Sequence, residues 1–213
     1  MKYFGMIVRP FLNAGIIIGL SAALFCQEPQ AESQVAPQVK PRVALNTSYG
    51  TVVLELEPSI APQTVENFLN YVKSGYYDGT IFHRVIAGFM IQGGGFTEKM
   101  EEKQAGSPIR NESKADSLKN VRGTIAMARL NDPHSATTQF FINLVDNQVL
   151  DSSSGAAARM GYCVFGRVVS GMEYVDKIAK VKTIRRMGHT DVPEFPVRLL
   201  KATLMPVEGD DVK

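Results

Sequence analysis

Short apolar runs, separated by Gly, Pro, Asn, Asp and Ser, constrain the fold of this chain more than any other feature. The first two runs, residues 43–45 and 51–56, flank Tyr49-Gly50, a dipeptide that suits a hairpin turn. Six more runs follow along the chain, at residues 80–84, 89–92, 124–128, 140–144, 164–169 and 197–205. Eight short strands are enough to form an antiparallel barrel, so the pattern predicts a mainly β protein.

Two helical patterns interrupt the strands. The first begins at Pro62 and repeats apolar residues at helical spacing through residues 65–72, and the second spans residues 172–179. Few and well-separated helices favour an antiparallel barrel with helices over its openings, rather than alternating β-α-β units. Residues 97–122 and 181–194 follow neither period. We predict long surface loops there, and loops of that length often carry function.

The first 26 residues have the pattern of an export signal. Lys2 and Arg9 flank the beginning of the segment, and residues 11–25 are largely apolar. This apolar stretch, of about 15 residues, is shorter than the roughly 20 residues that a membrane-spanning helix needs. A cleaved signal peptide is therefore expected, while lipidation at Cys26 and an uncleaved membrane anchor are the alternatives.

One folded domain is expected after this segment. Residues 27–41 contain Gln, Glu, Ser and Pro with few large apolar groups, which predicts a flexible linker. The chain has 213 residues, of which 45% are hydrophobic and 21% charged, so a single domain can bury a sizeable core. The predicted organisation is a signal peptide or anchor at 1–26, the linker at 27–41, the domain at 42–207 and a C-terminal tail at 208–213.

Charge and residue spacing argue against several classes of function. Without residues 1–26, two of the 23 basic residues are removed and the rest equal the 21 acidic residues, so nucleic-acid binding has no electrostatic support. The three histidines form no i, i+4 pair and have no Cys-x-x-Cys partner, so no metal site is expected. A serine hydrolase is disfavoured because Gly-x-Ser-x-Gly is absent. Cys163, in an apolar segment, is predicted to be a buried and inert thiol.

The run FHRVIAGFMIQGGG, residues 82–95, sets Arg84 among apolar residues and close to Gln92. It contains no Ser, Cys, Asp or Glu that could act as a nucleophile, and its glycines lack the Lys-Ser/Thr sequel of a phosphate-binding loop. Taken alone, Arg84 would be interpreted as a surface or ion-paired residue, and the neighbouring His83 as structural. These residue types are better suited to binding a peptide than to catalysing the cleavage of a bond.

Five motifs, in order along the chain, resemble those of the cyclophilins, which are peptidyl-prolyl cis/trans isomerases, and in particular the bacterial exported members. They are FHRV with GFMIQGG within residues 82–94, GTIAMAR at 123–129, QFFIN at 139–143, LD at 150–151 and YCVFGRV at 162–168. The resemblance extends over the whole predicted domain. It implies a closed eight-stranded antiparallel barrel capped by two helices, which agrees with the strand count reached independently.

The resemblance implies rotation about X-Pro peptide bonds as the reaction. Amide resonance opposes this rotation with a barrier of roughly 18–20 kcal/mol. In the twisted transition state the prolyl nitrogen becomes a hydrogen-bond acceptor, so a donor aimed at it lowers the barrier selectively. A guanidinium suits this task because it is always charged and needs no tuned pKa. The matching positions name Arg84, Phe89 and Gln92 as catalytic residues.

The same resemblance names the residues that bind the substrate: Met90, Ala128, Arg129, Gln139, Phe141, Val149, Leu150 and Tyr162. Apolar side chains of this set would surround the proline ring, with the Tyr162 hydroxyl at the rim. The backbone at residues 128–129, together with Gln139, would pair with the extended peptide, which explains tolerance of many sequences. Strand alternation puts Phe140 and Phe141 on opposite faces, and the family pattern assigns the pocket face to Phe141.

One departure from the family pattern is Val149, which stands where many members have an aromatic residue at the pocket edge. The whole chain contains no Trp, and weak cyclosporin binding is therefore expected. The expected protein is a monomeric periplasmic isomerase that acts on proline-containing segments of exported proteins without a metal or organic cofactor. A catalytically weak proline-peptide binding module or chaperone is the main alternative, and Val149 is the feature that favours it. A membrane-tethered scaffold is a third interpretation.

Overall fold

A computed structural model describes residues 40–153 and 160–206 of the chain. The predicted export signal, most of the linker and the C-terminal tail lie outside the described residues. No helix within the described ranges is long and apolar enough to cross a membrane. The elements, in chain order, are β1 (Arg42–Thr47), β2 (Gly50–Leu56), α1 (Pro62–Lys73), β3 (Thr80–Ile81), β4 (Arg84–Ile86), β5 (Met90–Gly93), β6 (Thr124–Met127), β7 (Phe140–Asn143), a 3-10 helix (Gln148–Leu150), β8 (Val164–Ser170), α2 (Met172–Ile178), β9 (Thr183–Arg186), β10 (His189–Pro193) and β11 (Arg198–Leu204).

The mainly β architecture with two helices is confirmed. Nine strands form one antiparallel sheet in the order β3-β11-β1-β2-β8-β6-β7-β5-β4, which curls into a half-barrel. Its two end strands, β3 and β4, are joined by Phe82 and His83 alone. The sheet has one strand more than expected because the predicted run at residues 80–84 is divided between these two strands.

The predicted loop at residues 181–194 is wrong, since β9 and β10 pair there as a separate antiparallel hairpin. The turn residues Met187 and Gly188 have φ values of 49° and 84°, as the mirror-image turns of tight hairpins require. Methionine is an unusual residue for that conformation, and only two of the nine positions in the two strands, Val192 and Pro193, are buried. Neither the turn signal nor the hydrophobic alternation was therefore visible in the sequence.

The core lies between the curled sheet and the two helices. Helix α1 begins at Pro62, as predicted, and buries Phe68 against three aromatic rings at centroid distances of 5.2–5.7 Å. The rings are those of Tyr77, Phe140 and Phe165. Burying an aromatic side chain of this kind stabilises the fold by about 1.5–3 kcal/mol.

Cys163 is buried, and this burial raises the pKa of its thiol, as expected for an inert cysteine.

Alternation along the strands gives the sheet two apolar faces. On β5 and β7, Ile91 and Phe140 point into the core, whereas Met90 and Phe141 belong to a separate cluster with Ala126 and Val164. Successive side chains of a strand point to opposite faces, so one short segment serves both the core and an outer surface. That outer surface carries the candidate site.

Candidate active site

A cleft of about 180 Å³ opens on the outer face of the sheet. Its lining brings together nine of the eleven predicted site residues: Arg84, Phe89, Met90, Gln92, Ala128, Arg129, Phe141, Leu150 and Tyr162. They come from β4, β5, the turn between these two strands, β7, the segments that follow β6 and precede β8, and the 3-10 helix. The volume suits a single side chain rather than a folded partner, as a site for one proline residue requires.

The floor of the cleft is apolar. Met90 and Phe141 are 2% and 4% exposed, and they contact the buried Ala126 and Val164 beneath them. The Tyr162 ring packs edge-on against Phe141, with 5.5 Å between ring centroids. These rigid contacts fix the shape of the floor, so that an apolar ring can bind without much rearrangement of the protein.

The polar side of the cleft is set by the register of two strands. Arg84 on β4 lies directly opposite Gln92 on β5, so their side chains emerge on the same face. Gln92 Nε2 donates a 2.9 Å hydrogen bond to Oε1 of Gln139. Gln139 itself lines an adjoining cleft of about 240 Å³, which shares Gln92, Ala128 and Arg129 with the first. Gln139 is thus connected to the site without lining the main cleft.

Glycine at position 95 makes room for this arrangement. A Cβ atom there would lie 2.5 Å from Cγ of Gln139, so a larger residue would displace the side chain that accepts the Gln92 bond. The preceding Gly94 has a φ of 85°, and a Cβ on it would meet the Phe140 and Tyr77 rings. Gly94 and Gly95 therefore permit these side chains to pack closely against the backbone at the end of β5.

Residues 128–129 form a second edge of the cleft. The amide of Ala128 donates to the carbonyl oxygen of Gln139 at 2.9 Å, so that particular group is already used and is not free for an incoming peptide. Arg129 extends over the Tyr162 ring, with 4.5 Å between its Cζ and the ring centroid. Its two terminal nitrogens donate to the carbonyl oxygens of Leu130 and Met160. Arg129 thereby fixes the position of Tyr162.

Val149 is the predicted site residue that the structure keeps apart. It belongs to the 3-10 helix with Leu150, but its side chain is 65% exposed and is not among the residues lining either cleft. Leu150, the next residue, is half-buried and lines the main cleft. The position expected at the pocket edge thus offers little apolar surface to a ligand.

A network of amide side chains supports the cleft from behind, and none of its members was among the predicted site residues. Asn147 Nδ2 donates to the Phe89 carbonyl oxygen at 2.9 Å and to Asn143 Oδ1 at 2.7 Å. Asn143 Nδ2 in turn donates to Asn120 Oδ1 at 3.3 Å, and the backbone N–H of Asn120 donates to Asp151 Oδ1 at 2.7 Å. The network ties the backbone of Phe89 to the 3-10 helix. Asn143 and Asp151 belong to the motifs QFFIN and LD, so the sequence did mark these two residues as part of the family pattern.

A second feature missed by the sequence analysis is an acidic partner of Arg84. Arg84 Nε lies 3.8 Å from Oδ2 of Asp191 on β10, and the two side chains are 42% and 39% exposed. No signal pointed to Asp191, because its strand was predicted to be a loop.

His83, beside Arg84 in the chain, is buried against the Phe96 ring at 4.6 Å. Burial, together with the electrostatic influence of the nearby His189 and Arg84, lowers its pKa to about 4. It is thus a neutral structural residue.

The outward-facing cleft combines an arginine with an apolar floor and has no Ser, Cys, Asp or Glu among its nine lining residues, so it belongs to a class of site that suits the binding of a peptide better than nucleophilic hydrolysis. Comparison with known proteins narrows this class. The family described as "Cyclophilin type peptidyl-prolyl cis-trans isomerase/CLD" matches residues 42–204. The chain therefore belongs to the cyclophilin-type peptidyl-prolyl cis-trans isomerases.

Individual relatives agree with this membership. A peptidyl-prolyl cis-trans isomerase of Streptomyces antibioticus is 56% identical over 163 residues, which cover 76% of this chain and 98% of the relative. Peptidyl-prolyl cis-trans isomerase B of Escherichia coli is 51% identical over 162 residues, with 76% and 98% covered. A Cryptosporidium parvum cyclophilin, crystallised in the presence of the dipeptide Ala-Pro, has a TM-score of 0.66 at 27% identity, with 78% and 99% covered. The expected enzyme class, peptidyl-prolyl cis-trans isomerase, is confirmed.

Proposed function

We propose that this isomerase accelerates rotation about X-Pro bonds by a hydrogen bond from Arg84 to the prolyl nitrogen in the twisted transition state. The carrying observation is that Arg84 lines the same small cleft as Phe89, Met90 and Phe141. A proline ring seated on this apolar floor would place its nitrogen near the guanidinium. The interaction strengthens only as the amide twists, so it lowers the barrier instead of merely binding the substrate.

The other residues of the cleft would hold the peptide. Phe89 and Met90 grip the ring, and Tyr162 offers a hydroxyl at the rim. Gln92 donates to Gln139 through Nε2, so its amide oxygen would serve as an acceptor on the strand face that it shares with Arg84. The amide of Ala128 is already used by Gln139, so we expect peptide pairing at this edge to involve the neighbouring backbone groups.

The mechanism predicts a large loss of catalysis when Arg84 is replaced by alanine. Removing one donor aimed at a transition state typically costs about 10²–10³ in rate. We therefore expect kcat/KM of the full-length chain to fall at least about a hundredfold in Arg84→Ala, measured by NMR exchange on a short Ala-Pro peptide.

Arg42→Ala is the matched control for this substitution, since Arg42 is also an ion-paired strand arginine with a half-exposed side chain, and it lies outside the cleft. It should retain wild-type kcat/KM. Unchanged activity in a folded Arg84→Ala variant would contradict the proposed mechanism. Binding of the peptide without acceleration by the wild type would instead support the proline-peptide binding module or chaperone.

We further propose that the substrates are proline-containing segments of exported proteins, and that the protein works in the periplasm. The support is the basic and apolar pattern of residues 1–26 followed by a linker-like composition at 27–41. A membrane tether through the N-terminus, a monomeric state and weak cyclosporin binding belong to the same proposal. Intact mass and cell fractionation test the location.

A further inference from the structure

We propose that Asp191 is a positioning residue for Arg84: its carboxylate orients the guanidinium toward the cleft from the β9–β10 hairpin. This inference rests on the proposed role of Arg84. The observation behind it is the 3.8 Å separation between Asp191 Oδ2 and Arg84 Nε. The pair joins the hairpin to the end strand of the main sheet, because Arg84 lies on β4 and Asp191 on β10.

The local backbone aims the Asp191 side chain. The register of β10 against β9 shifts between His189 and Val192, so Thr190 and Asp191 form a bulge with no ladder partner. Asp191 has a φ of 60°, in the left-handed backbone region that residues other than Gly, Asn and Asp rarely adopt. Bulges next to active sites commonly redirect one side chain. Thr190 Oγ1 also donates a 3.1 Å bond to Oδ2 of Asp191, which restrains the carboxylate.

Residues on both sides of the bulge are anchored. Val192 is 1% exposed and packs in a small apolar cluster with Ile81, Phe96 and Met100. On the other side, the His189 ring packs edge-on against Phe96 at 5.3 Å. Asp191 therefore projects from a backbone that is fixed before and after it, unlike a side chain on a free loop. A fixed carboxylate can restrain a long side chain more effectively than a mobile one.

The geometry of the pair suits orientation more than neutralisation. The carboxylate approaches Nε, which leaves the two terminal nitrogens of Arg84 for the cleft. At 3.8 Å the contact is an ion pair rather than a hydrogen bond, so the guanidinium keeps its donors for the substrate. Restricting an arginine to one productive orientation raises the rate of a step that depends on its aim.

Substitutions at position 191 distinguish two roles for Asp191. In one its charge orients Arg84, and in the other it is needed only because its residue type can adopt the backbone conformation of the bulge. Asn keeps the shape and the left-handed conformation but lacks the charge, whereas Glu keeps the charge and is less suited to that conformation. We expect kcat for an Ala-Pro peptide to rank Asp above Glu above Asn. In Asp191→Asn, kcat should fall about fivefold with KM unchanged, equivalent to about 1 kcal/mol, the upper range for ion pairs of this exposure.

Asp176→Asn is the matched control, because Asp176 pairs with Arg122 at similar exposure outside the cleft. Its kcat should stay at the wild-type value. If kcat of Asp191→Asn equals the wild-type value and kcat of Asp191→Glu is the lowest, Asp191 serves only the backbone conformation of the bulge. That result would overturn the proposal. Wild-type kcat, or a higher value, in both Asp191 variants would overturn it as well.

A double-mutant cycle separates this inference from the mechanism on which it rests. If Asp191 acts through Arg84, adding Asp191→Asn to Arg84→Ala should cause no further loss of kcat. An equal fivefold loss in both backgrounds would overturn the inference while leaving the role of Arg84 intact. Full activity of Arg84→Ala alone would contradict the proposed function, whatever the Asp191 variants show.

Discussion

His83 and Arg84 are neighbours in the chain with opposite electrostatic roles. Arg84 lines the cleft with a positively charged guanidinium. His83 is 4% exposed, and its Nδ1 atom has no hydrogen-bond partner among the residues that the structure describes. Protonating it would place a positive charge in an apolar environment close to a second one, so the folded protein favours the neutral imidazole. Folding is therefore coupled to the protonation of this residue.

This coupling predicts a loss of stability in weak acid. The pKa of His83 is about 4 in the folded protein, against 6.5 for an unperturbed histidine. The unfolded chain thus binds more protons between these values. The stabilising contribution is complete above pH 6.5 and is lost as the pH falls toward 4. Between pH 7 and pH 5 we expect a loss of about 2 kcal/mol in the free energy of unfolding from this residue.

Urea unfolding of the wild type and of His83→Gln at the two pH values measures the effect, because carboxylates contribute equally to both proteins. The variant should be less stable at pH 7 but should lose about 2 kcal/mol less on acidification. His134→Gln serves as the control in a polar loop. If the wild type and His83→Gln lose the same stability, His83 is not the group responsible.

At the scale of single residues, the sequence predicted the cleft better than its surroundings. Arg84, Phe89 and Gln92 lie in one continuous motif, and strand alternation predicts which side of the sheet Arg84 and Gln92 face. Asp191 is separated from Arg84 by more than a hundred positions, and nothing in its local pattern indicates a contact with the cleft. Residue types can be read from a sequence, but a pairing across two sheets depends on tertiary structure.

Among the elements, the 3-10 helix Gln148–Leu150 decides how the cleft ends. One turn of this tight helix directs Leu150 into the lining and leaves Val149 exposed. The buried bonds of Asn147 and Asp151 hold the turn in place from both sides. A substitution at position 149 can therefore change the surface beside the cleft without disturbing the fold.

The exposed position predicts that Val149→Trp strengthens cyclosporin binding. The wild type should bind weakly, and an indole beside the mouth of the cleft would add apolar contact area. We expect roughly tenfold tighter binding, equivalent to about 1.4 kcal/mol, by calorimetric titration. Val169→Trp, at an exposed site on β8, should leave the affinity unchanged. Tight binding by the wild type would contradict this explanation.

The elements themselves were predictable where their periodicity was clear. Helix α1 begins at Pro62 as expected, because its apolar stripe and first-position proline are both visible in the sequence. The division at Phe82-His83 was hidden, since both residues are buried and continue the apolar run. The β9–β10 hairpin was hidden for the opposite reason: only two of its nine strand positions are buried, so its strands carry little apolar signal.

For the whole molecule, the two faces of one sheet separate stability from function. Ile91, Phe140 and Phe165 fill the core on the inner face, while Met90 and Phe141 form the floor of the cleft on the outer face. Substitutions of residues exposed in the cleft should therefore alter peptide binding with little effect on the core. The same arrangement explains why the overall fold could be predicted from strand patterns alone, whereas the cleft required the family resemblance to be noticed.

The location of the protein is the remaining property of the whole chain that we predict. If residues 1–26 are an export signal, the protein expressed in a bacterium with a periplasm should appear in the periplasmic fraction with a reduced intact mass. Ile17→Arg with Leu20→Arg should retain it in the cytoplasm, because each charge at the centre of an apolar segment costs about 2.5–3.5 kcal/mol on insertion. Lys40→Arg, which preserves the charge beyond the segment, is the control and should be exported normally.

A membrane-bound product that resists high-salt washing would indicate lipidation at Cys26 or an uncleaved anchor, and the intact mass distinguishes these two cases. Cytoplasmic wild-type protein with an intact N-terminus would contradict the export proposal, while leaving the cleft and its chemistry unaffected.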